Sequence, residues 1–347
     1  ITEYFKKASY YAQLVKNEGH SLTAKYWDFF IDICSDKYNT ALNKDGAKAN
    51  ESIWEVEFAG NRSTDVRAEG RIGNIIGIPG KDLSSKSSIT GKGDPGYAYA
   101  FIWSTPKLLE LYEANNDIDR CNWNIAPFTY TQSAGEGTPV DGREFVKGKR
   151  DEVEQQYWDK SFSYGKTNPG STYGDRESKN DANKNRNRAA AKYRREYEAD
   201  KKSKNDTSIN FPLLRYSDIL LMIAEAENEV NHGPNDLAYE CINAVRERAG
   251  ISKLQENLDE TNFREAIKDE RAMELCFEYT RRFDLIRWGD YYKLMQEQVS
   301  KAQTDESWKF GINVYTYFNI PKSYNYFPIP ANEIGSNGAI KTNNPGW

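Results

Sequence analysis

The sequence predicts a mainly α-helical protein in which tetratricopeptide-like helical hairpins pack with a largely irregular C-terminal region carrying a few short strands. Three observations point there. Apolar residues recur at helical spacing over residues 2–34 and again over residues 214–295. Residues 60–96 and 129–187 show no such period and are rich in Gly, Ser and Asn, which marks long irregular segments. Runs of β-forming residues are few and short.

Residues 2–17 place Phe5, Ala8, Tyr11, Ala12 and Val15 on one helical face, and Gly19 supplies a stop. Residues 22–34 carry Leu22, Tyr26, Phe29, Phe30 and Ile33 on a second helix. The short connection makes the two an αα-hairpin, the unit of tetratricopeptide-like solenoids, with a partner helix surface expected upstream. Ile53, Trp54, Val56 and Phe58 make Ser52–Phe58 a strand. Pro106 sits where a helix begins, with Leu108, Leu109 and Tyr112 as its apolar face. The mixed charges of residues 175–206 read as a solvated connector, inside which Tyr193, Arg195 and Tyr197 alternate as a strand. Leu214, Ile219, Leu220, Ile223 and Ala226 line a helix begun near Ser217 or Asp218. A second follows through Leu237, Ala238, Cys241, Ile242 and Val245 and closes at Gly250. A third carries Phe263, Ile267, Met273, Leu275 and Phe277, and a fourth runs through Phe283, Ile286, Trp288 and Leu294. Trp54, Trp103 and Trp288 sit in regular elements and are expected in the core.

Composition narrows the function. Aromatics make up 13% of the 347 residues, and the formal charge of -5 argues against a protein built on phosphate-backbone contacts. No apolar run approaches the roughly 20 residues that span a bilayer. No secretory n-region or h-region follows Ile1, so the chain reads as processed or, since it opens straight into a helix, as the interior of a longer protein. Cys34, Cys121, Cys241 and Cys276 show no CxxC spacing and are expected as buried thiols; with His20 and His232 far apart, no metal site is supported. No P-loop, GxGxxG, GxSxG or HExxH pattern occurs, and no catalytic residue or cofactor is expected.

Four blocks carry a resemblance. LLRYSDILLMIAEAENE (213–229), INAVRERAGI (242–251), IKDERAMELCFEYTRRFDLIRWG (267–289) and YFPIPANEI (326–334) followed by NPGW occur in the order, and with the spacing, of the SusD/RagB family. NDIDRCNW (116–123) is similar to that family's D-x-R segment. The resemblance implies a SusD-like fold: residues 1–60 as the end of a tetratricopeptide-like part, and residues 61–347 as a C-terminal region. The latter would carry ligand-facing loops (61–100, 129–187) and a helical block (212–296), the whole forming one compact body. It further implies a lipid-anchored protein of the cell outer membrane, exposed at the surface. Such a protein captures glycans, binds no nucleic acid and passes its ligand to a SusC-like TonB-dependent transporter. Peptide binding is an alternative within the family, and a two-carboxylate glycoside hydrolase is the alternative of another class.

Two expectations concern particular residues. Glu270, Arg271, Glu274, Glu278, Arg281, Arg282, Asp284 and Arg287 interleave both charges, so they read as a buried network that fixes helix against helix, its carboxylates held ionised, with Glu278–Arg282 as an i,i+4 pair. Arg215 and Asp218 share that structural role. Sugar recognition needs flat aromatic faces beside amides and charges. Tyr157, Trp158 and Tyr164, near Lys160, Asn168 and Asn180, together with Trp308, Asn61 and Arg62, are therefore the expected ligand contacts.

Overall fold

The computed structural model describes residues 2–35, 51–58, 70–77, 98–99, 101–125, 190–198, 206–304 and 317–347. The described elements are mostly helical, as expected. They are α1 (Thr2–Lys16), α2 (Tyr26–Cys34), β1 (Ser52–Val56), α3 (Ile72–Ile75), α4 (Pro106–Ala114), α5 (Ile118–Asn124), β2 (Phe211–Arg215), α6 (Tyr216–Asn231), α7 (Asp236–Arg248), α8 (Glu260–Glu274), α9 (Arg281–Arg287), α10 (Tyr291–Thr304) and α11 (Ala331–Ser336).

Helix α6 is the axis of the main core. Its residues Ile219, Leu220, Leu221, Ile223, Ala224 and Ala226 are buried almost all round, the pattern of a helix enclosed by neighbours. Those neighbours are α1, α7 and α8. Phe263 and Ile267 of α8 and Ala238, Cys241, Ile242 and Val245 of α7 complete the cluster. Each fully buried Leu, Ile or Phe there stabilises the fold by about 1.5–3 kcal/mol. The helix ends follow local chemistry. Asn235 Oδ1 accepts from Ala238 N at 2.9 Å to start α7, and Asp259 Oδ1 accepts from Asn262 N at 2.8 Å to start α8. Gly250, at φ +79°, closes the C-terminal end of α7.

A second core lies under α2: Tyr26, Trp27, Phe29, Phe30 and Ile33 pack with Trp123, Tyr193 and Ile209. A third joins Leu109 and Tyr112 of α4 to Cys121, Ile125 and Met273. β1 and β2 form a two-stranded antiparallel ribbon, irregular on either side of Trp54. All four cysteines are buried thiols.

Several expectations change. α1 and α2 do not form a mutually packed hairpin: α1 lies on α6, and consecutive helices pack as a pair at α6–α7 instead. The reason is the face used. Ser9 and Ala12 of α1 are buried, whereas Tyr11 is 63% exposed. Residues 193–197 are not a strand but turn into a short 3-10 helix, Arg195–Tyr197. Neighbouring amides here bond to separate segments, Ala190 N to Ile102 O, Ala191 N to Asn124 O and Tyr193 N to Ile76 O, so no ladder forms. Helix α8 stops at Glu274, before Leu275 and Phe277, because Phe277 and Tyr279 adopt φ of +61° and +62°. The expected fourth helix is two, α9 and α10, broken at Gly289 with φ +78°. Trp54 is 65% exposed, since a two-stranded ribbon has no layer over its outer side, and Trp103 and Trp288 are half-buried. Among the described residues, the core tryptophans are Trp27 and Trp123.

Candidate functional site

The charged block forms a buried lattice centred on Glu274. Arg215, at the β2–α6 junction, donates from Nη1 to Glu274 at 2.6 Å and Glu51 at 2.8 Å, and from Nε and Nη2 to Glu278 at 2.8 and 3.0 Å. Arg120 of α5 donates from Nη1 to Glu270 at 2.6 Å and Glu274 at 2.9 Å, and from Nε to Asp117 at 2.6 Å. Arg246 reaches Glu270 at 2.9 Å, while Arg248 bridges Glu51 (2.7 Å) and Glu274. Lys192 donates to the carbonyls of Glu274 and Cys276 at 2.9 and 2.8 Å and to Glu278. Five carboxylates (Glu51, Asp117, Glu270, Glu274, Glu278) thus face five cations (Arg120, Lys192, Arg215, Arg246, Arg248), all with side chains at most 8% exposed. Charges so buried are tolerated because each is paired and hydrogen-bonded. The i,i+4 carboxylates Glu270 and Glu274 stand one turn apart because Arg120 lies between them.

The electrostatics follow. Burial pushes the Glu274 carboxyl up, but Arg248, Arg215, Arg120 and Lys192 together outweigh it and hold it well below the usual range. Glu278 behaves likewise under Arg215 and Lys192. Asp117 goes the other way: burial, reinforced by Glu270, lifts it to about 6 against the pull of Arg120. The i,i+4 pairs through Glu278 do not exist, because Glu278 lies beyond the end of α8. Its place between two left-handed residues is held by Lys192 and Arg215, and Arg282 turns instead to the carbonyl of Tyr324. A smaller cluster does the same work at α9: Arg271 joins Asp218 at 2.7 Å to Asp284 at 2.8 Å, and Arg287 links Asp284 to Glu225. Both clusters are structural. They lock α5, α7, α8, β2 and residues 190–198 together, and α5 and residues 190–198 bracket residues 126–189 in sequence.

Arg271, Asp284, Arg287 and Glu225 also line a small groove of about 190 Å³, walled by Phe5, Ala8, Met222 and Ala226. Exposed aromatics are spread over the described residues, Tyr4, Tyr10 and Tyr11 of α1, Phe101, Phe283 and Tyr317 among them, and two further groups stand out. One is the outer side of the ribbon, with Trp54, Val56 and Leu213, and the nearby Tyr279, whose ring meets Phe211 edge-on at 5.6 Å. The other is the C-terminal tail. There Tyr324 and Trp347 stack with centroids 5.3 Å apart and planes 10° apart, beside exposed Tyr326 and Phe327. The FPIP stretch meets the body through Arg282, whose guanidinium is 4.3 Å from the Phe327 ring.

Trp158, Tyr157, Tyr164, Trp308, Asn61 and Arg62, the expected ligand contacts, all lie outside the described residues. Trp54, Tyr324 and Trp347 were not among them. The signal for Trp54 is that a lone strand far from any other reads as part of a narrow ribbon. The signal for the tail is an aromatic at each end of a Pro- and Asn-rich stretch. Among the described residues, no group of three or more His, Cys, Asp or Glu side chains is placed to hold a metal ion, and no helix is long and apolar enough to cross a membrane.

A bundle of helices packed around α6, with a buried ion lattice beside it and a single two-stranded ribbon, is the body of a SusD-like protein. The chain belongs to the SusD family, whose model matches residues 50–347. It is similar to SusD-like protein P25 of Formosa agariphila, 38% identical over 136 residues, which are 38% of this chain and 23% of that protein. A SusD homolog from Bacteroides thetaiotaomicron superposes over 99% of this chain and 59% of its own length, with TM-score 0.69 and 26% identity. Surface glycan-binding protein A of the same species, solved in complex with laminarihexaose, matches over 99% of this chain and 60% of its own, with TM-score 0.50 and 19% identity. The chain therefore spans about three fifths of those solved proteins and about a quarter of the curated relative.

Proposed function

We propose that the protein captures a glycan, an oligo- or polysaccharide, at the outer-membrane surface, where a lipid anchor would hold it, and delivers it to a SusC-like TonB-dependent transporter. Membership of the SusD family over residues 50–347 carries this reading. The laminarihexaose-bound fold relative supports a sugar as the ligand class. The ligand contacts we propose are Trp158, Tyr157, Tyr164, Trp308, Asn61 and Arg62.

The protein binds and does not cleave. A glycosidase needs one carboxyl with a raised pKa in reach of substrate and a second, ionised one across the scissile bond. In the lattice the carboxyl raised to about 6, Asp117, is fully buried against Arg120, and the ionised Glu274 and Glu278 are committed to arginines. Co-purification tests the transport half. The lipidated protein from detergent-solubilised outer membranes is expected to bring a TonB-dependent β-barrel with it, and purification without one contradicts that half alone.

A further inference from the structure

We propose that the C-terminal tail carries a carbohydrate-stacking platform formed by Tyr324, Tyr326, Phe327 and Trp347. The inference rests on the glycan-binding reading and assigns it contacts on the tail.

Four rings of the tail are open, three on residues 324–327 and the fourth, Trp347, stacked back on the first: Tyr324 is 38% exposed, Tyr326 52%, Phe327 59% and Trp347 46%. Exposed rings on a chain terminus ordinarily collapse or swing free. These are held in place by polar bonds from beneath. The Trp347 indole Nε1 donates to the carbonyls of Ser323 at 3.1 Å and Tyr326 at 3.2 Å, which brings the last residue back over the 3-10 turn Lys322–Asn325. That return needs Gly346. It sits at φ +88°, and a Cβ there would meet the Ser323 Cβ at 2.5 Å. Asn344 Nδ2 donates to the Phe327 carbonyl at 2.7 Å, and Asn343 Oδ1 accepts from Ile329 N at 2.7 Å, so two asparagines staple the ends of the tail together. Arg282 Nη2 donates to the Tyr324 carbonyl at 3.1 Å and lies under Phe327.

The chemistry fits a sugar better than an apolar partner. With one face stacked on Tyr324 and its indole N–H bonded to the backbone, Trp347 keeps the rest of its ring, 46% exposed, for a ligand. A flat π face matches the C–H face of a pyranose. The surrounding groups are amides, phenol hydroxyls and a guanidinium, which suit equatorial hydroxyls. A platform whose rings are already ordered loses little entropy on binding.

Affinity electrophoresis tests this. The parent, Trp347→Ala, Trp347→Phe and Tyr324→Ala run through native gels cast with laminarin, xylan, mannan or pectin, after circular dichroism melts confirm folding. Trp347→Ala is expected to bind the retarding polysaccharide about ten-fold more weakly than the parent, by analogy with loss of one base-stacking aromatic. Trp347→Phe, which keeps a flat ring, is expected to lose less. Equal retardation of the parent and the folded Trp347→Ala and Tyr324→Ala variants overturns the platform and leaves glycan binding standing. A parent retarded by none of the four overturns both.

Discussion

Asp117 and Glu274 sit in one lattice yet answer acid in opposite senses. Glu274 has a folded pKa depressed below its unfolded value near 4.5, so the stability it contributes is present above that pH and is lost as pH falls further. Asp117 has a folded pKa of about 6 against an unfolded value of 3.8, so its folded state takes up a proton first. Its contribution is fully present below pH 3.8 and is lost as pH rises through about 6. Asp117→Asn fixes the neutral form. Urea midpoints for the variant relative to the parent are therefore expected to improve between pH 4 and pH 7, by up to about 3 kcal/mol. A difference that stays flat across that interval means the Asp117 carboxyl titrates at its ordinary value. Asp284 offers a second residue-scale test. It shares the buried Arg271, whose side chain is 4% exposed, with Asp218, so Asp284→Ala removes one of that cation's two carboxylate partners at a cost of up to about 3–5 kcal/mol. An unchanged thermal midpoint with lost ligand affinity would move Asp284 from scaffold to binding site.

At the scale of elements, what decided success was whether the local pattern or the tertiary partners set the backbone. α6 and α7 read straight from 3.6-residue periodicity because each buries a continuous apolar stripe, and Gly250 and the Asn235 cap mark an end and a start by their own chemistry. The stop of α8 was not readable. Nothing about Phe277 or Tyr279 favours a left-handed backbone. It is held by Glu278 gripping Arg215 and Lys192, and by Phe277 packing against two cores, partners dozens of residues away. Residues 193–197 failed for a related reason: alternation was present, but no neighbouring strand was. The ion lattice was legible as interleaved charge in residues 270–287, whereas its other half (Glu51, Asp117, Arg120, Lys192) was not, because those residues come from three separate segments. Gly289 offers a clean test of local control. Its φ is +78° and a Cβ would touch nothing within 4 Å, so Gly289→Ala should cost only the left-handed penalty, about 1–2 kcal/mol. A loss of several kcal/mol, measured by urea unfolding, would mean that α9 and α10 depend on a packing contact at that turn.

For the whole molecule, the helices and their ion lattice hold shape, and ligand capture is proposed for the tail aromatics and the contacts named above. The lattice carboxylates are accordingly committed to arginines and a lysine, while rings open to solvent lie on α1 as well as on the ribbon and the tail. Isothermal titration calorimetry against a panel of oligosaccharides that includes laminarihexaose, with chromatography of each mixture after the titration, tests that capture most directly. The account predicts saturable binding to at least one oligosaccharide, with that oligosaccharide recovered intact. Shortened products that disappear when a single carboxylate is neutralised, or heat with peptides and none with any sugar, would contradict it.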